Sequence, residues 1–189
     1  MGKTNIVIPN SEQFNLLMKT IRQLDARAQP GGNLVELLAY SGMRLAEATG
    51  LCWEDVDFGN GRFVVTGGEA GTKNHDPRHV PLFPALRQFL DRLKDGEGTP
   101  SSGRVTKTQT AKKLLESACR KANLPDFTHH TLRHYFVSNA IEAGVDFKVI
   151  ASWVGHKDGG ILVAKTYGHL RDHHSNEMAK RMTFSAILS

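Results

Sequence analysis

The most informative stretch of this sequence is THHTLRHYFV, at residues 128–137. Thr128 can cap a helix that the following apolar residues continue to Ala143. His130 and Arg133 are three residues apart, so a helix places both side chains on one face, about one turn apart. An imidazole beside a guanidinium suits an anion, and a phosphate group is the first candidate. A helix N-terminus that is basic without binding any ligand is the alternative interpretation.

The residues before this stretch predict helices. Ser11 can cap a first helix with an apolar stripe, and QPGG at residues 29–32 is expected to end it. A second helix is expected to end at Gly42, where glycine suits a left-handed C-cap. A short third helix is expected from near Arg44 to Gly50.

A small sheet is predicted next. Two apolar segments at 56–58 and 62–66 flank GNG at 59–61, which is a hairpin signature. A polar loop at 67–76 leads to a third strand at 78–82, which Pro81 marks as an edge strand or a strand end. We therefore predict an α+β fold that is mainly α-helical, with a small three-stranded antiparallel sheet on one side of the helical body.

The remaining periodic segments predict further helices. They begin at Pro84, run over residues 108–122, start after a cap at Asp146, and cover residues 161–167. The loop at 95–103, rich in Gly, Ser, Pro and Thr, is the one plausible internal boundary. Neither side of it looks self-sufficient, so residues 1–189 are predicted to form a single domain.

Composition narrows the class of protein. The 189 residues include 24 Lys and Arg against 19 Asp and Glu, a net charge of +5, which is compatible with nucleic acid as a partner. Cys52 and Cys119 lack metal-type spacing and are expected to be reduced core residues. No apolar run approaches the length of a membrane span, and the N-terminus has no signal-peptide core. The expected location is the cytoplasm, or the nucleoid within it.

Five further residues are candidates for chemistry, each with an ordinary structural alternative. Arg44 and Glu47 are three residues apart, so the carboxylate can brace the guanidinium; as a surface pair it is worth a few tenths of a kcal/mol. Lys73 lies in the polar loop, where a lysine is usually a solvated charge. Alone, His156 is typical of a helix-capping residue and Tyr167 of a packing residue.

A zinc site is a less favoured alternative. His169 and His173 are four residues apart with His174 beside them, and His129, His130 and His134 cluster elsewhere in the chain. Helical histidines at this spacing can bind zinc. However, the spacing fixes no third ligand and no cysteine joins them.

Taken in order, four segments of the chain resemble the motifs of the tyrosine recombinases, the lambda-integrase-like family. SGMRLAE at 41–47, with GLCWEDV at 50–56, is similar to the box that carries the first arginine. Lys73, eight residues before Pro81 in RHVPL, is similar to the catalytic-lysine hairpin. HTLRH at 130–134 is similar to the His-x-x-Arg box.

The fourth segment is VGH at 154–156 followed by YGH at 167–169, which is similar to the last histidine and the tyrosine nucleophile. The resemblance covers nearly the whole chain, from about Ser11 to Met178. It implies the catalytic domain of a site-specific DNA recombinase or integrase that needs neither metal nor cofactor.

The resemblance also implies a role for each candidate. Tyr167 would attack the scissile phosphorus and form a 3′-phosphotyrosyl bond. Arg44 and Arg133 would clamp the non-bridging oxygens. His130 would accept or relay the tyrosine proton, His156 would donate to a phosphate oxygen, and Lys73 would protonate the 5′-hydroxyl leaving group. Glu47 would orient Arg44.

The expected partner is double-stranded DNA. The chain is expected to form a homotetramer on DNA and to be a monomer when free. The family's N-terminal DNA-binding domain is expected to be absent from residues 1–189, which would leave DNA affinity weak. The apolar end at 184–188 is expected to dock on a neighbouring protomer, and the segment at 157–160 predicts mobility of Tyr167. Two alternatives stay open: a catalytically inactive DNA-binding module and a type IB topoisomerase-like enzyme.

Overall fold

A computed structural model of the chain describes residues 7–66, 77–167 and 179–180. Its helices are α1 Ser11–Arg22, α2 Gln29–Ser41, α3 Leu45–Gly50, α4 Pro84–Gly96, α5 Lys112–Lys121, α6 His129–Glu142, α7 Phe147–Val154 and α8 Ile161–Tyr167. Its strands are β1 Val56–Asp57, β2 Arg62–Val65 and β3 Arg78–Pro81, which form one antiparallel sheet in the order β1-β2-β3. The predicted fold class is confirmed.

The chain divides by its internal contacts into two compact units, Met1–Phe136 and Val137–Ser189. The division falls within α6 and not in the loop at 95–103, where the sequence suggested a boundary. Backbone hydrogen bonds join the C-terminal end of that loop to the segment before β1. The Trp53 amide donates to the Gly103 carbonyl at 2.9 Å, and the Val105 amide donates to the Leu51 carbonyl at 2.9 Å. Backbone pairing therefore holds a segment whose composition is typical of a linker.

The start of the chain corrects two local predictions. The cap of α1 is Asn10 and not Ser11, because the Asn10 side chain accepts from the Gln13 amide at 2.8 Å while the Gln13 side chain accepts from the Asn10 amide at 3.0 Å. QPGG does not end α1 but begins α2, with Pro30 in its first turn. Proline suits that turn because the first amides of a helix have no intrahelical acceptor.

Helix α2 is the centre of the first unit. It packs against α1, α3 and α4, and Leu34, Val35, Leu37 and Leu38 are all fully buried. A helix that buries its apolar residues against three neighbours belongs in a core, and this one is followed by its C-cap Gly42, beside the candidate site. The ring of Phe14 on α1 stacks on Tyr135 of α6 at 4.7 Å between centroids.

The sheet covers the core with one face. Phe63 pairs with Val80 and Val65 pairs with Arg78 across β2 and β3, and the three apolar members of these pairs are buried. Side chains two residues apart on a strand share a face, so Arg78 lies on the same inward face as Val80.

In the second unit, α7 packs against α8. As predicted, Asp146 caps α7, because its side chain accepts from the Lys148 amide at 2.8 Å. In the segment at 157–160, the Asp158 carboxylate accepts from the amides of Gly160 and Leu162 at 3.0 and 2.8 Å, and the mobility of Tyr167 stays a prediction. Gly160 has a φ of 96°, and a Cβ there would lie 2.8 Å from the backbone of Phe147.

Cys119 is buried and Cys52 is partly exposed, and both are free thiols. No helix in the described part of the chain is long and apolar enough to cross a membrane.

Gly42→Ala is expected to destabilise the first unit by about 2–5 kcal/mol. The φ of Gly42 is 65°, which costs a residue with a Cβ about 1–2 kcal/mol, and the Cβ would lie 2.4 Å from the ring of Phe136, which adds an overpacking cost of about 1–3 kcal/mol. Urea denaturation of both proteins measures the change in the free energy of unfolding.

Gly61→Ala is the matched control. Gly61 has nearly the same φ, 63°, but a Cβ there meets nothing within 4 Å. We expect it to cost only the conformational term, about 1–2 kcal/mol. Equal losses at the two glycines would contradict the close approach of Phe136 to Gly42.

Candidate active site

The C-terminal end of α2 fixes Arg133. Gly42 turns the chain there, and its carbonyl accepts a hydrogen bond from Arg133 Nη1 at 2.6 Å. Arg133 is only 5% exposed. The start of α6 is set by Thr128, as predicted, since the Thr131 amide donates to the Thr128 hydroxyl and the Thr128 amide to the Thr131 hydroxyl. The position of Arg133 therefore follows from both helix ends.

Arg44 lies at the start of α3 and is held by Glu47. The Glu47 Oε2 accepts from the Arg44 amide at 2.9 Å, and Oε1 accepts from Arg44 Nη1 at 3.1 Å. The contact that their spacing predicted is thus present. Glu47 is 6% exposed, whereas the Arg44 side chain keeps 46% of its surface in solvent. A buried carboxylate here orients a guanidinium that a ligand can reach.

Arg78 is a third arginine of the site and was not predicted from the sequence. Its Nη1 donates to Glu47 Oε1 at 3.0 Å and its Nη2 to Oε2 at 2.7 Å, a bidentate pair that joins β3 to α3. The sequence does contain a signal for Arg78, because the alternation of side chains along a strand places Arg78 on the same face as buried Val80. A charged residue on an inward face needs a partner, and the partner was already a candidate.

His130 lies in the first turn of α6 and is solvent-exposed. Lost hydration, followed by the positive charges of Arg133 and Arg44, lowers the pKa of its imidazole. The ring is therefore neutral at pH 7 and can accept a proton.

We call Arg44, Glu47, Arg78, His130 and Arg133 the arginine cluster.

The charges of the arginine cluster act on one another. Burial alone raises the pKa of the Glu47 carboxyl, but the hydrogen bonds and charge of Arg78, together with those of Arg44, outweigh it and the pKa is lowered. Burial, then the charge of Arg44, lowers the pKa of Arg133 to about 10. At pH 7 the cluster holds three guanidinium groups and one carboxylate, a net charge of two positive. Such a site attracts an anion and stabilises further negative charge that develops on it.

His134 lies one turn along α6 from His130, and the two rings meet edge to face with their centroids 4.4 Å apart. His134 is 8% exposed. Burial, then the charges of His130 and Arg133, lowers its pKa to about 4. A neutral, buried ring therefore supports the side of His130.

This pKa predicts acid sensitivity. An unfolded histidine has a pKa of about 6.5, so between pH 6.5 and pH 4 the unfolded state binds more protons than the folded state. The free energy of unfolding must then fall as the pH falls, by about 3 kcal/mol at pH 4 from His134 alone. Between pH 7 and pH 4, the free energy of unfolding of His134→Leu is expected to fall by about 3 kcal/mol less than that of the natural chain. Urea denaturation at both pH values measures it.

His79→Gln is the control for this pH comparison, because His79 is exposed on the outward face of β3. It should keep the full acid sensitivity of the natural chain. An unchanged pH dependence in His134→Leu would show that the folded state does not hold this ring neutral.

The other histidine of the stretch has a structural partner. His129 Nε2 accepts from the Ala111 amide at 2.9 Å, which ties the start of α6 to the start of α5. Burial lowers the pKa of His129, consistent with its role as an acceptor. For the zinc alternative, His169, His173 and His174 lie outside the described residues, and the described ranges contain no group of three or more His, Cys, Asp or Glu that could hold a metal ion.

The remaining candidates belong to the second unit or lie outside the described residues. His156 follows the left-handed Gly155 that ends α7, and its amide donates to the Ala151 carbonyl at 2.8 Å. Tyr167 is the last residue of α8 and is 5% exposed. Lys73 lies outside the described residues. The first unit thus brings together four predicted residues, Arg44, Glu47, His130 and Arg133, and adds Arg78.

The comparisons with known sequences agree on one family. Residues 10–174 match the sequence model of the phage integrase family. Tyrosine recombinase XerA of Pyrococcus furiosus is 28% identical over 155 residues, which cover 78% of this chain and 53% of that protein. Tyrosine recombinase XerD of Mycobacterium leprae is 33% identical over 138 residues, 65% of this chain and 43% of that protein. The chain spans about half the length of the curated relatives it matches.

Solved structures share the fold. The catalytic domain of bacteriophage HP1 integrase has a TM-score of 0.70 at 21% identity, over 98% of this chain and 99% of that one. The Tn1549 transposon integrase in complex with transposon right end DNA has a TM-score of 0.73 at 18% identity, over 95% of this chain and 67% of that one. At these identities the likeness establishes the architecture alone.

Proposed function

The chain belongs to the phage integrase family, the tyrosine recombinases, and we propose that it is a catalytic domain that cleaves and rejoins DNA strands through a 3′-phosphotyrosyl intermediate. Residues 1–189 would act as one catalytic domain, with the two compact units as its parts. The observation that carries the proposal is the arginine cluster. Its net positive charge, together with the neutral imidazole of His130, is the chemistry that a scissile phosphate requires.

Arg44 and Arg133 would bind the non-bridging oxygens of the phosphate. A guanidinium is always charged at neutral pH and presents its donors in a rigid fork that matches such oxygens. Hydrogen bonds to Gly42 and Glu47 hold the two forks before DNA arrives. Little reorganisation would then be needed as charge develops in the transition state.

Tyr167 would be the nucleophile. Its hydroxyl oxygen would form a bond to phosphorus as the bond from phosphorus to the 5′-oxygen breaks, so the phosphodiester is exchanged and not lost. The phenol proton would pass to His130, whose neutral ring can take it. Rejoining would run the same steps in reverse, with the 5′-hydroxyl as nucleophile.

Three residues would assist. Lys73 would protonate the 5′-oxygen as it leaves, and His156 would donate to a phosphate oxygen. Both assignments rest on the family motifs. Glu47 would orient Arg44, which its two hydrogen bonds to that residue support.

Double-stranded DNA is the proposed partner, and the nucleoid the proposed place of action. The Tn1549 integrase was solved with DNA, and the arginine cluster offers this chain a phosphate site. We propose that four copies assemble on DNA and that the free chain is a monomer. The apolar end at 184–188, proposed to dock on a neighbouring protomer, lies outside the described residues.

Covalent trapping tests this proposal. A nicked duplex drawn from sequence flanking the gene is incubated with the chain at micromolar concentration, with and without excess EDTA, and then denatured. The expected product is a protease-sensitive adduct that carries the strand upstream of the cleaved bond, with equal yield in EDTA.

Three results would contradict the proposal. An adduct on the downstream strand would mean a 5′ linkage, and cleavage that EDTA abolishes would mean metal-dependent hydrolysis. DNA binding without any adduct would favour the inactive module. Relaxation of supercoiled plasmid without a specific site would favour the topoisomerase-like alternative.

A further inference from the structure

We propose that Arg78 is a positioning residue of this site: it acts through Glu47 to keep Arg44 available to the phosphate. This inference rests on the proposed function, because it assumes that Arg44 binds a phosphate oxygen. It assigns to Arg78 no contact with the substrate.

The geometry makes Glu47 a shared support. Each of its oxygens accepts from both arginines: Oε1 from Arg44 Nη1 at 3.1 Å and Arg78 Nη1 at 3.0 Å, and Oε2 from the Arg44 amide at 2.9 Å and Arg78 Nη2 at 2.7 Å. The fork of Arg78 fixes the plane of the carboxylate, since two parallel hydrogen bonds define an orientation that one cannot. The carboxylate in turn receives Arg44 at both its backbone and its side chain.

Burial shows which arginine has which task. The Arg78 side chain is 14% exposed and the Arg44 side chain 46%, while Glu47 between them is 6% exposed. Arg78 is therefore turned inward from β3 to neutralise the carboxylate, and Arg44 is turned outward. Two arginines on one acid have separate roles here, one facing the protein and one facing solvent.

The net charge of the arginine cluster explains why Arg78 matters to phosphate binding at Arg44. With Arg78 present and His130 neutral, the arginine cluster carries a net charge of two positive, which exceeds the single negative charge of a phosphodiester and favours further negative charge on it. Without Arg78 the net charge falls to one. Of Arg44 and Arg78, only Arg44 would then remain to neutralise the buried Glu47 carboxylate. The carboxylate would therefore compete with the phosphate for Arg44.

If Arg78 served only to hold β3 against α3, the phosphate affinity of the folded protein at Arg44 would not depend on Arg78. Replacing one member of a buried ion pair destabilises a protein because the other charge is left uncompensated, and removing both members is often neutral. Stability measurements therefore cannot separate the two roles. Anion affinity at Arg44 can, because it depends on how much of Arg44 the carboxylate occupies.

The test is a titration with inorganic phosphate, followed through the Arg44 Nε–Hε resonance in ¹H–¹⁵N spectra and assigned with Arg44→Lys. Arg78→Met is expected to weaken phosphate binding about tenfold, the effect of one unit charge removed at a few ångströms in a partly solvated site. Adding Glu47→Gln to Arg78→Met should restore the affinity to within about threefold of the natural chain, because the competing carboxylate is gone. Arg78→Lys, which keeps the charge but not the fork, should fall between them.

Arg62→Met is the matched control. Arg62 begins β2 in the same sheet and its Nε lies 4.0 Å from an oxygen of Asp57, away from Glu47. It changes the net charge of the chain equally, so its phosphate affinity should stay within about twofold. Phosphate binding by Arg78→Met equal to the natural chain, or no recovery in the double variant, would overturn the inference. If Arg78→Met does not fold, Arg78→Lys with and without Glu47→Gln carries the same test.

The result separates this inference from the proposed function. The titration needs no cleavage, so a natural chain that binds phosphate at Arg44 but forms no covalent adduct would refute the function and leave Arg78 to be judged by the rescue. Conversely, an adduct that forms equally fast in Arg78→Met would refute the inference alone.

Discussion

Tyr167→Phe is expected to abolish the covalent protein–DNA adduct, with a loss of at least about a thousandfold in the rate of its formation. The substitution removes one oxygen, the atom proposed to bond to phosphorus. The aromatic ring, which is 5% exposed at the end of α8, keeps its packing. The free energy of unfolding should therefore change by only about 1 kcal/mol. Denaturing gels of trapped reactions measure the rate, and thermal denaturation checks the fold.

Tyr135→Phe is the matched control for the nucleophile. Tyr135 belongs to the same stretch as His130, and its ring stacks on Phe14 at 4.7 Å, so the substitution again removes only a hydroxyl. It should form adduct at the rate of the natural chain. An adduct that survives Tyr167→Phe and disappears in Tyr135→Phe would move the nucleophile into the first unit.

Arg133→Met is expected to slow cleavage about a thousandfold, the upper range for removing one preorganised donor from a transition state. Methionine keeps an unbranched side chain in the buried site. It lacks the charge and the forked donors that would hold a phosphate oxygen. Its effect on folding should be far smaller. Loss of the hydrogen bond to the Gly42 carbonyl costs about 1–3 kcal/mol, and removal of a buried charge offsets part of that.

The control for Arg133 is Arg104→Met, which removes an exposed arginine of the same unit. Single-turnover cleavage and urea denaturation are measured on both variants. Arg104→Met should cleave within about threefold of the natural chain, as expected of an exposed charge screened by salt. A similar loss of cleavage in both variants would mean that overall positive charge matters and that the buried position of Arg133 does not.

Local spacing was enough to find part of the site. Arg44 and Glu47 are one helical turn apart, and so are His130 and Arg133, because the period of the helix alone brings such residues together. The contact of Arg133 with Gly42 joins residues 91 positions apart in sequence. No local pattern specifies a contact of that range, although the glycine itself was predicted to end α2.

Arg78 was missed because its partner is 31 residues away, although its strand was predicted correctly. The face of that strand was the unused information. QPGG was misread for a different reason: proline and glycine mark both the end of one helix and the first turn of the next. Only the tertiary structure, in which α2 packs on α1 directly, decides between these readings.

His156 and Tyr167 could not be selected from local patterns at all. Each is a single residue near a helix end, where histidine and tyrosine are common for packing reasons. Their assignment depends on the order of four motifs along the chain, and the family match over residues 10–174 supports that order. Their chemical roles stay predictions until an adduct is examined.

Peptide mass spectrometry of the trapped adduct, after digestion with nuclease and protease, is the most direct measurement of the proposed chemistry. The chain has three tyrosines, Tyr40, Tyr135 and Tyr167, which fall in different peptides after cleavage at Arg and Lys. A nucleotide joined through its 3′-phosphate to the peptide that contains Tyr167 is the expected result. A nucleotide on Tyr40, on Tyr135 or on any other side chain would contradict the assignment of Tyr167 as the nucleophile.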